Sequence, residues 1–315
     1  MSYTYSIKEE IASIKSNNSE LIAELSGYIR NNSVITSKKV IMTTENKAVV
    51  DHLVESLKDV YNVKPKVEII ENLNFSKNDL YQITIDDNLE KVLEKLGIHD
   101  ENGKYLSVVP NYIVGGNEEI RAYLRGVFEG VGSINDPKTS RYHMELLVNK
   151  SKEAVFVQKL LNIFELNAKI LGREKGYMIY IKEAEKISDF IKILGANKAV
   201  LYFEDVRVYR DKKNKTNRLN NMEQANMDKI IQTATDQLKD IQIIEENDGV
   251  MLLDDKVKET LEYRKKYPEA SLKELAEIIS LETNKPITKS GLNHRLRKIK
   301  DLADRFNKQK THSNE

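Results

Sequence analysis

The sequence predicts an α+β fold: a duplicated N-terminal domain of two pseudo-symmetric αββαββα halves, followed by an all-α C-terminal domain. Three observations carry this. Two stretches 99 residues apart, "ELSGYIRNNSVI" (24–35) and "YLRGVFEGVGSI" (123–134), share an apolar pattern in which Gly27 matches Gly126. The same succession of period-two and helical-period segments follows each of them. The last third holds instead two helical segments separated by a break, the second strongly basic.

The first half runs from 1 to 99 and the second from 100 to 205. "KVIMTTENKAVVDHLVESL" (39–57) parallels "HMELLVNKSKEAVFVQKLL" (143–161), each an apolar strand, a polar turn and a helix. "LYQITIDDNLEKVLEKLGI" (80–98) parallels "GYMIYIKEAEKISDFIKILGA" (176–196), each an alternating strand and then a helix closed by Gly97 or Gly195. Tyr81, Ile83 and Ile85 share one strand face, as do Tyr177, Ile179 and Ile181, the alternation of half-buried antiparallel sheets. Two such halves pack about a pseudo-two-fold axis, and the glycine-bearing helices are the segments expected on it. Gly126 and Gly130 lie four apart, on one helix face, and Gly27 offers the matching gap for a close backbone approach.

Residues 206–249 are expected to form a basic linker and connecting helix. "RVYRDKKNKTNR" (207–218) has six cations against one acid and no apolar period, so it reads as a flexible connection. Arg210, Lys212, Lys213, Lys215 and Arg218 are candidates there for a secondary polyanion contact. From Met222 the apolar positions 222, 225, 227, 230, 231, 234, 238 and 241 fit an amphipathic helix.

Residues 250–306 read as a helix-turn-helix, and 307–315 as a disordered tail. Ser271 is an N-cap with Glu274 three residues on, a capping-box spacing. Leu272, Leu275, Ile278 and Ile279 line one face of the helix that follows. Pro286 breaks the chain, and Thr288 or Ser290 caps a second helix that buries Leu292, Leu296, Ile299 and Leu302. From Lys285 to Lys310 there are nine Lys/Arg and two acids, a +7 stretch suited to a duplex backbone. Lys289, Ser290, Asn293 and His294 are expected near base edges. Arg295, Arg297, Lys298 and Lys300 are expected mainly at phosphates.

Composition sets limits on chemistry. The 315 residues are 40% hydrophobic and 31% charged, with a net charge of +1. Charge is uneven: −3 over 1–99, zero over 100–205 and +4 over 206–315, which puts a polyanion-binding role in the last third. No apolar run approaches the roughly 20 residues of a membrane helix. The opening "MSYTYSIKEEIASIKSNN" lacks an export signal, so a cytoplasmic, nucleoid-associated protein is expected. Zero cysteines exclude thiol chemistry and cysteine-based zinc sites, and five scattered histidines make a His-rich metal site unexpected. No phosphate loop, HExxH or GxSxG motif is present, and neither a cofactor nor a metal is expected.

The two glycine-bearing stretches resemble the paired LAGLIDADG motifs of homing endonucleases, "LSGYIRNNS" (25–33) and "LRGVFEGVG" (124–132) aligning through Leu25/Leu124 and Gly27/Gly126. In that family, the acid before the last motif position binds the divalent metal. Asn32 and Val131 stand there in this sequence. Glu129 sits about 200° around the helix from Val131, where it reads as a helix-end or surface carboxylate. The resemblance therefore implies the nuclease scaffold without its catalytic acids, and no enzymatic activity.

With the C-terminal unit included, the chain resembles the WhiA family of bacterial sporulation and cell-division regulators. Asn217-Arg218, Asn221, Ala225-Asn226 and Lys229 fit its "NR..N...AN..K" pattern, and "SGLNHRLRKI" (290–299) is close to a signature. Met222 stands where many members carry cysteine. Asn31-Asn32 replaces a glycine-rich motif end, which is expected to loosen that helix terminus. The resemblance implies a regulator of transcription, cell division or chromosome segregation that binds double-stranded DNA. It also leaves a protein partner for the acidic N-terminal domain open, with no membrane involvement. Two other readings stand beside it: an active metal-dependent endonuclease, and a protein-interaction scaffold with incidental DNA binding.

Overall fold

A computed structural model describes residues 2–70, 79–139 and 141–312. The chain divides into two compact units, Met1–Asp211 and Lys212–Glu315.

The first unit opens with α1 (Tyr3–Ile11), which buries Tyr3, Ile7 and Ile11. The duplicated series follows. Its first half comprises α2 (Asn18–Asn31), β1 (Ser33–Ile35), β2 (Val40–Thr44), α3 (Lys47–Tyr61), β3 (Lys66–Ile70), β4 (Leu80–Ile85) and α4 (Leu89–Lys95). The second comprises α5 (Asn117–Val131), β5 (Gly132–Ile134), β6 (Met144–Val148), α6 (Ser151–Ile163), β7 (Lys169–Arg173), β8 (Gly176–Ile181) and α7 (Ala184–Leu194). Each half forms a four-stranded antiparallel sheet of the same order, β1-β2-β4-β3 and β5-β6-β8-β7. Ile83 and Ile85 are buried, as are Ile179 and Ile181, so the alternation of the sequence does set the core face. Gly97 and Gly195 follow their helices at φ +60° and +89°, the left-handed region that glycine adopts without a Cβ penalty.

The pseudo-symmetric centre is the α2–α5 contact. A Cβ on Gly27 would stand 2.3 Å from the Tyr123 carbonyl oxygen, and one on Gly126 would stand 1.9 Å from that of Glu24. A Cβ on Gly130 would meet the Asn32 Cβ at 2.8 Å. Backbone lies against backbone there, so any side chain at 27 or 126 would force the helices apart.

Residues 207–218 are not a flexible connection. They belong to α8, which runs unbroken from Asn197 to Glu246. Its N-terminus is held by the Glu10 carboxylate, which accepts from the Lys198 and Ala199 amides at 2.7 and 3.0 Å. A helix without an apolar stripe persists where neighbouring side chains support it, and Gln224–Asp228, Gln232–Asp236 and Gln242–Glu246 are i,i+4 hydrogen bonds of 2.9 Å. The amphipathic face expected from Met222 is largely exposed, with Met222, Met227 and Ile231 at least half accessible. Burial begins only at Ala234 and continues through Ile241 and Ile244.

In the second unit Ile241 and Ile244 join a core with α9 (Asp255–Lys266), α10 (Leu272–Thr283) and α11 (Lys289–His312). The expected disordered tail is likewise corrected: α11 continues through residues 307–312, and 313–315 lie outside the described residues. Leu302, expected in the core, is only half-buried, and Ala303 takes the buried position.

Candidate nucleic-acid interface

Local chemistry builds the two-helix element. Ser271 and Glu274 form the reciprocal capping box, the Ser271 Oγ accepting from the Glu274 amide (3.3 Å) and the Glu274 Oε2 from the Ser271 amide (2.8 Å). Asn284 ends α10 in the left-handed region at φ 53°. Ser280 then fixes the turn, its Oγ accepting from the Ile287 amide at 2.9 Å. Thr288 rather than Ser290 caps α11, accepting from the Gly291 amide at 3.1 Å. Arg264, which no local pattern singles out, is buried beneath the preceding turn, between α9 and α10. Its Nη1 donates to the carbonyls of Tyr267 and Ala270 at 3.3 and 2.7 Å.

α11 buries Leu292, Leu296, Ile299 and Ala303 against this frame. At about 100° per residue, Lys289, Ser290, Asn293, Arg297 and Lys300 fall within one sector of about 100°, and all five are exposed. His294 is exposed about 40° beyond that sector. The acids of the same side, Asp301 and Asp304, come only after Lys300, so the first three turns present cations and hydrogen-bonding groups alone.

Two expected phosphate contacts, Arg295 and Lys298, have partners within the fold. Arg295 is half-buried on the flank toward α9, and its Nη1 donates to Glu259 Oε2 (3.3 Å), the Lys256 carbonyl (3.2 Å) and Thr260 Oγ1 (3.4 Å). Lys298 Nζ pairs with Asp254 Oδ2 at 3.0 Å. Both lie more than about 90° from Arg297 around α11, because four-residue spacing places 293 and 297, but not 295 or 298, on one stripe.

A second group lies at the base of the helices. Asn226, Lys229, Arg264, Lys273 and Lys289 line a cleft of about 480 Å³ in the second unit. Asn226 and Lys229 come from α8, so this cleft joins cations distant in sequence. Of the secondary candidates, Lys212, Lys213, Lys215 and Arg218 are exposed on α8. Arg210 is not a free cation: its Nη1 donates to the carbonyls of Pro137 and Thr139 at 2.6 and 2.7 Å, and its guanidinium covers the Tyr142 ring at 4.5 Å.

The positions of the nuclease acids are occupied by other chemistry. Asn32 Nδ2 donates to the Tyr28 hydroxyl and the Thr43 carbonyl, both at 2.9 Å. Asn31 Nδ2 donates to the Gly27 carbonyl at 2.8 Å. The two asparagines therefore tie down the end of α2 rather than loosening it. Val131 is half-buried against the core of the second half. Glu129 lies in the last turn of α5, as expected of a helix-end residue, but it is not a surface carboxylate: only 1% of it is accessible, because α2 and α3 close over the side of α5 that carries it.

Three family models match consecutive parts of the chain: a WhiA N-terminal LAGLIDADG-like domain over 18–99, a WhiA LAGLIDADG-like domain over 120–213 and a WhiA C-terminal HTH domain over 216–303. The chain belongs to the WhiA family. Among WhiA proteins, a "Probable cell division protein WhiA" of Enterococcus faecalis (strain ATCC 700802 / V583) is 39% identical, across 97% of this chain and 98% of the relative. One of the same name from Staphylococcus aureus (strain JH9) is 38% identical over the same shares. The crystal structure of full-length DUF199/WhiA from Thermatoga maritima superposes with a TM-score of 0.60 at 23% identity, across 97% of this chain and 99% of that one. The WhiA fold is thus shared along the whole chain. Among the described residues, no helix is long and apolar enough to cross a membrane.

Proposed function

We propose that the chain is a non-enzymatic, DNA-binding regulator acting in cell division and chromosome segregation, associated with the nucleoid, with α11 as its DNA-reading helix. The observation that carries this reading is the single exposed sector of α11 holding Lys289, Ser290, Asn293, Arg297 and Lys300. Such a helix docks in the major groove by its first turns, with cations on flanking phosphates. Asn293 reads base edges, as an asparagine amide pairs bidentately with adenine. Lys289, Arg297 and Lys300 supply the salt-dependent affinity, and Lys212, Lys213, Lys215 and Arg218 add a second phosphate contact. The names of the relatives, which carry cell division, support the cellular role.

The absence of enzymatic activity rests on Asn32 and Val131. A divalent ion activating water for phosphodiester cleavage needs carboxylate ligands, and neither side chain supplies one. The N-terminal unit serves instead as a scaffold that meets a protein partner. Val34 and Ile69 are more than half exposed on strands of the first half, whose net charge of −3 opposes a duplex, and Leu171 is half exposed on a strand of the second.

Duplex titrations of the full chain at several salt concentrations test the reading. Binding of the wild type falls steeply with salt, and the triple variant Lys289→Ala, Arg297→Ala, Lys300→Ala loses most of it. Unchanged binding by that variant would sink the assignment of α11. Incubation with plasmid and Mg²⁺ leaves the DNA intact, whereas turnover of nicked product would establish the endonuclease reading.

A further inference from the structure

Glu129 is a buried acid that the proposed function does not use. Neither of its carboxylate oxygens has a hydrogen-bond partner among the described residues. An ionised carboxylate in that state is costly unless a cation or donors meet it. Its neighbours are two further groups able to bind metal: Glu24 on α2 and His52 on α3 offer one donor atom each, and with Glu129 on α5 the three atoms lie within 4.8 Å of one another. Glu24 is also buried, and His52 is largely so.

The surroundings are arranged as an outer shell around metal ligands would be. Arg125 Nε holds the Glu24 Oε2 at 3.3 Å, while its Nη2 reaches Glu20 Oε2 and Ser16 Oγ at 3.4 and 3.1 Å. The other Glu24 oxygen, Oε1, faces His52 Nε2 at 3.2 Å. Second-shell partners of this kind orient ligands and set their basicity. Lys8 on α1 is the remaining cation near Glu129, and it has no hydrogen bond to that carboxylate.

We propose that Glu24, His52 and Glu129 form a binding site for a divalent first-row transition metal, of which Zn²⁺ is the representative ion. Two carboxylates and an imidazole form an oxygen–nitrogen donor set that suits Zn²⁺ or Mn²⁺, whereas Mg²⁺ favours oxygen alone. Three protein ligands leave a fourth tetrahedral position for water. The ion compensates both buried carboxylates and cross-links α2 and α3 of the first half to α5 of the second. Asn32 and Val131, the positions of the family's nuclease acids, contribute no ligand to it, so the site stabilises the helix interface and does no phosphodiester chemistry.

The burial of Glu129 and the adjacent Glu24 charge push its carboxyl up to about 8, against the opposing pull of His52, Lys8 and Arg125. Burial alone would lower the His52 imidazole, but its hydrogen bond to Glu24 and that group's charge outweigh it.

The test is metal analysis of the full chain after dialysis against Zn²⁺, with Co²⁺ substitution as a spectroscopic probe of the ligands. The wild type retains about one Zn²⁺ per chain, and its melting temperature rises with Zn²⁺. Glu129→Gln, an isosteric change, and His52→Ala each weaken binding by more than the about 10–100-fold typical of losing an outer-shell partner. His143→Ala retains it, although His143 lies 3.2 Å from Glu145 on the surface of the second sheet. Should Glu129→Gln fail to fold, the His52→Ala result decides. Failure of the wild type to retain Zn²⁺, retention undiminished in His52→Ala, or loss in His143→Ala alone would each overturn the proposal. DNA titration of the same variants separates this outcome from that of the DNA-binding reading, because His52 and Glu129 lie outside the second unit.

Discussion

Arg30 and Glu153 meet inside the N-terminal unit, Nη1 to Oε1 at 2.8 Å, with side-chain exposures of 0% and 3%. Arg30 stands on α2 of the first half and Glu153 on α6 of the second, so this buried pair joins the duplicated halves. Arg30 Nη1 also donates to the Leu106 carbonyl at 3.0 Å, and Nη2 donates to that of Gly97. In the aligned motifs Arg30 corresponds to Glu129: both Nη atoms of the arginine have partners, though its Nε has none, and neither oxygen of the buried glutamate has one.

Removing one member of such a pair strands the other charge away from water, at a cost of about 3–5 kcal/mol, whereas replacing both by apolar groups is close to neutral. Arg30→Met and Glu153→Gln are therefore each expected to destabilise the chain strongly in urea. The double variant Arg30→Met, Glu153→Leu is expected to recover a substantial part. Additive losses in the double-mutant cycle would contradict the coupling.

Gly126→Ala places a methyl 1.9 Å from the Glu24 carbonyl oxygen, where only backbone can give way. The expected loss is at the upper end of overpacking costs, about 3 kcal/mol or more. Gly172→Ala is the control, since a Cβ there meets nothing within 4 Å. Thermal melts of the two variants check this, and a Gly126→Ala protein as stable as Gly172→Ala would show that α2 and α5 do not pack as described.

Asn293→Ala should cost about 1–3 kcal/mol on the specific site and relax base preference, while Arg297→Ala should weaken all duplexes alike and lower the salt slope by about 1. Arg295→Ala should leave that slope unchanged, because its guanidinium is held by Glu259 and the carbonyl of Lys256. Anisotropy titrations between about 50 and 200 mM salt distinguish the three. Equal losses for Asn293→Ala on specific and random duplexes would remove its base-reading role.

Arg264→Met leaves the carbonyls of Tyr267 and Ala270 without their buried donor. Hydrogen bonds to charged groups contribute about 1.5–3 kcal/mol, so the second unit should melt earlier. Hydrogen exchange of the amides of residues 271–275 should rise with it, since Arg264 anchors the turn that presents the Ser271 cap. Unaltered exchange there would mean that the capping box holds the turn unaided.

The duplicated series of elements was legible because period-two strands, helical spacing and terminal glycines are properties of short segments. The Ser271–Glu274 box was legible for the same reason, being complete within four residues. Residues 207–218 were not, since the rule that finds helices looks for an apolar stripe. This helix is held by i,i+4 hydrogen bonds and by the Glu10 carboxylate at its N-terminus, almost 190 residues away in sequence.

By itself, then, the sequence determined the order of elements, the two glycine contacts at the pseudo-symmetry axis, the loss of acids at 32 and 131, and the basic face of α11. Only the tertiary structure decided the fate of individual charges. Glu129 is buried because α2 and α3 close over it, Arg210 is occupied by the carbonyls of Pro137 and Thr139, and Arg295 and Lys298 are taken up by Glu259 and Asp254. Helix period and capping are decided within about one or two turns. The solvation and pairing of a side chain depend on whichever distant segment packs against it, and no local pattern encodes that.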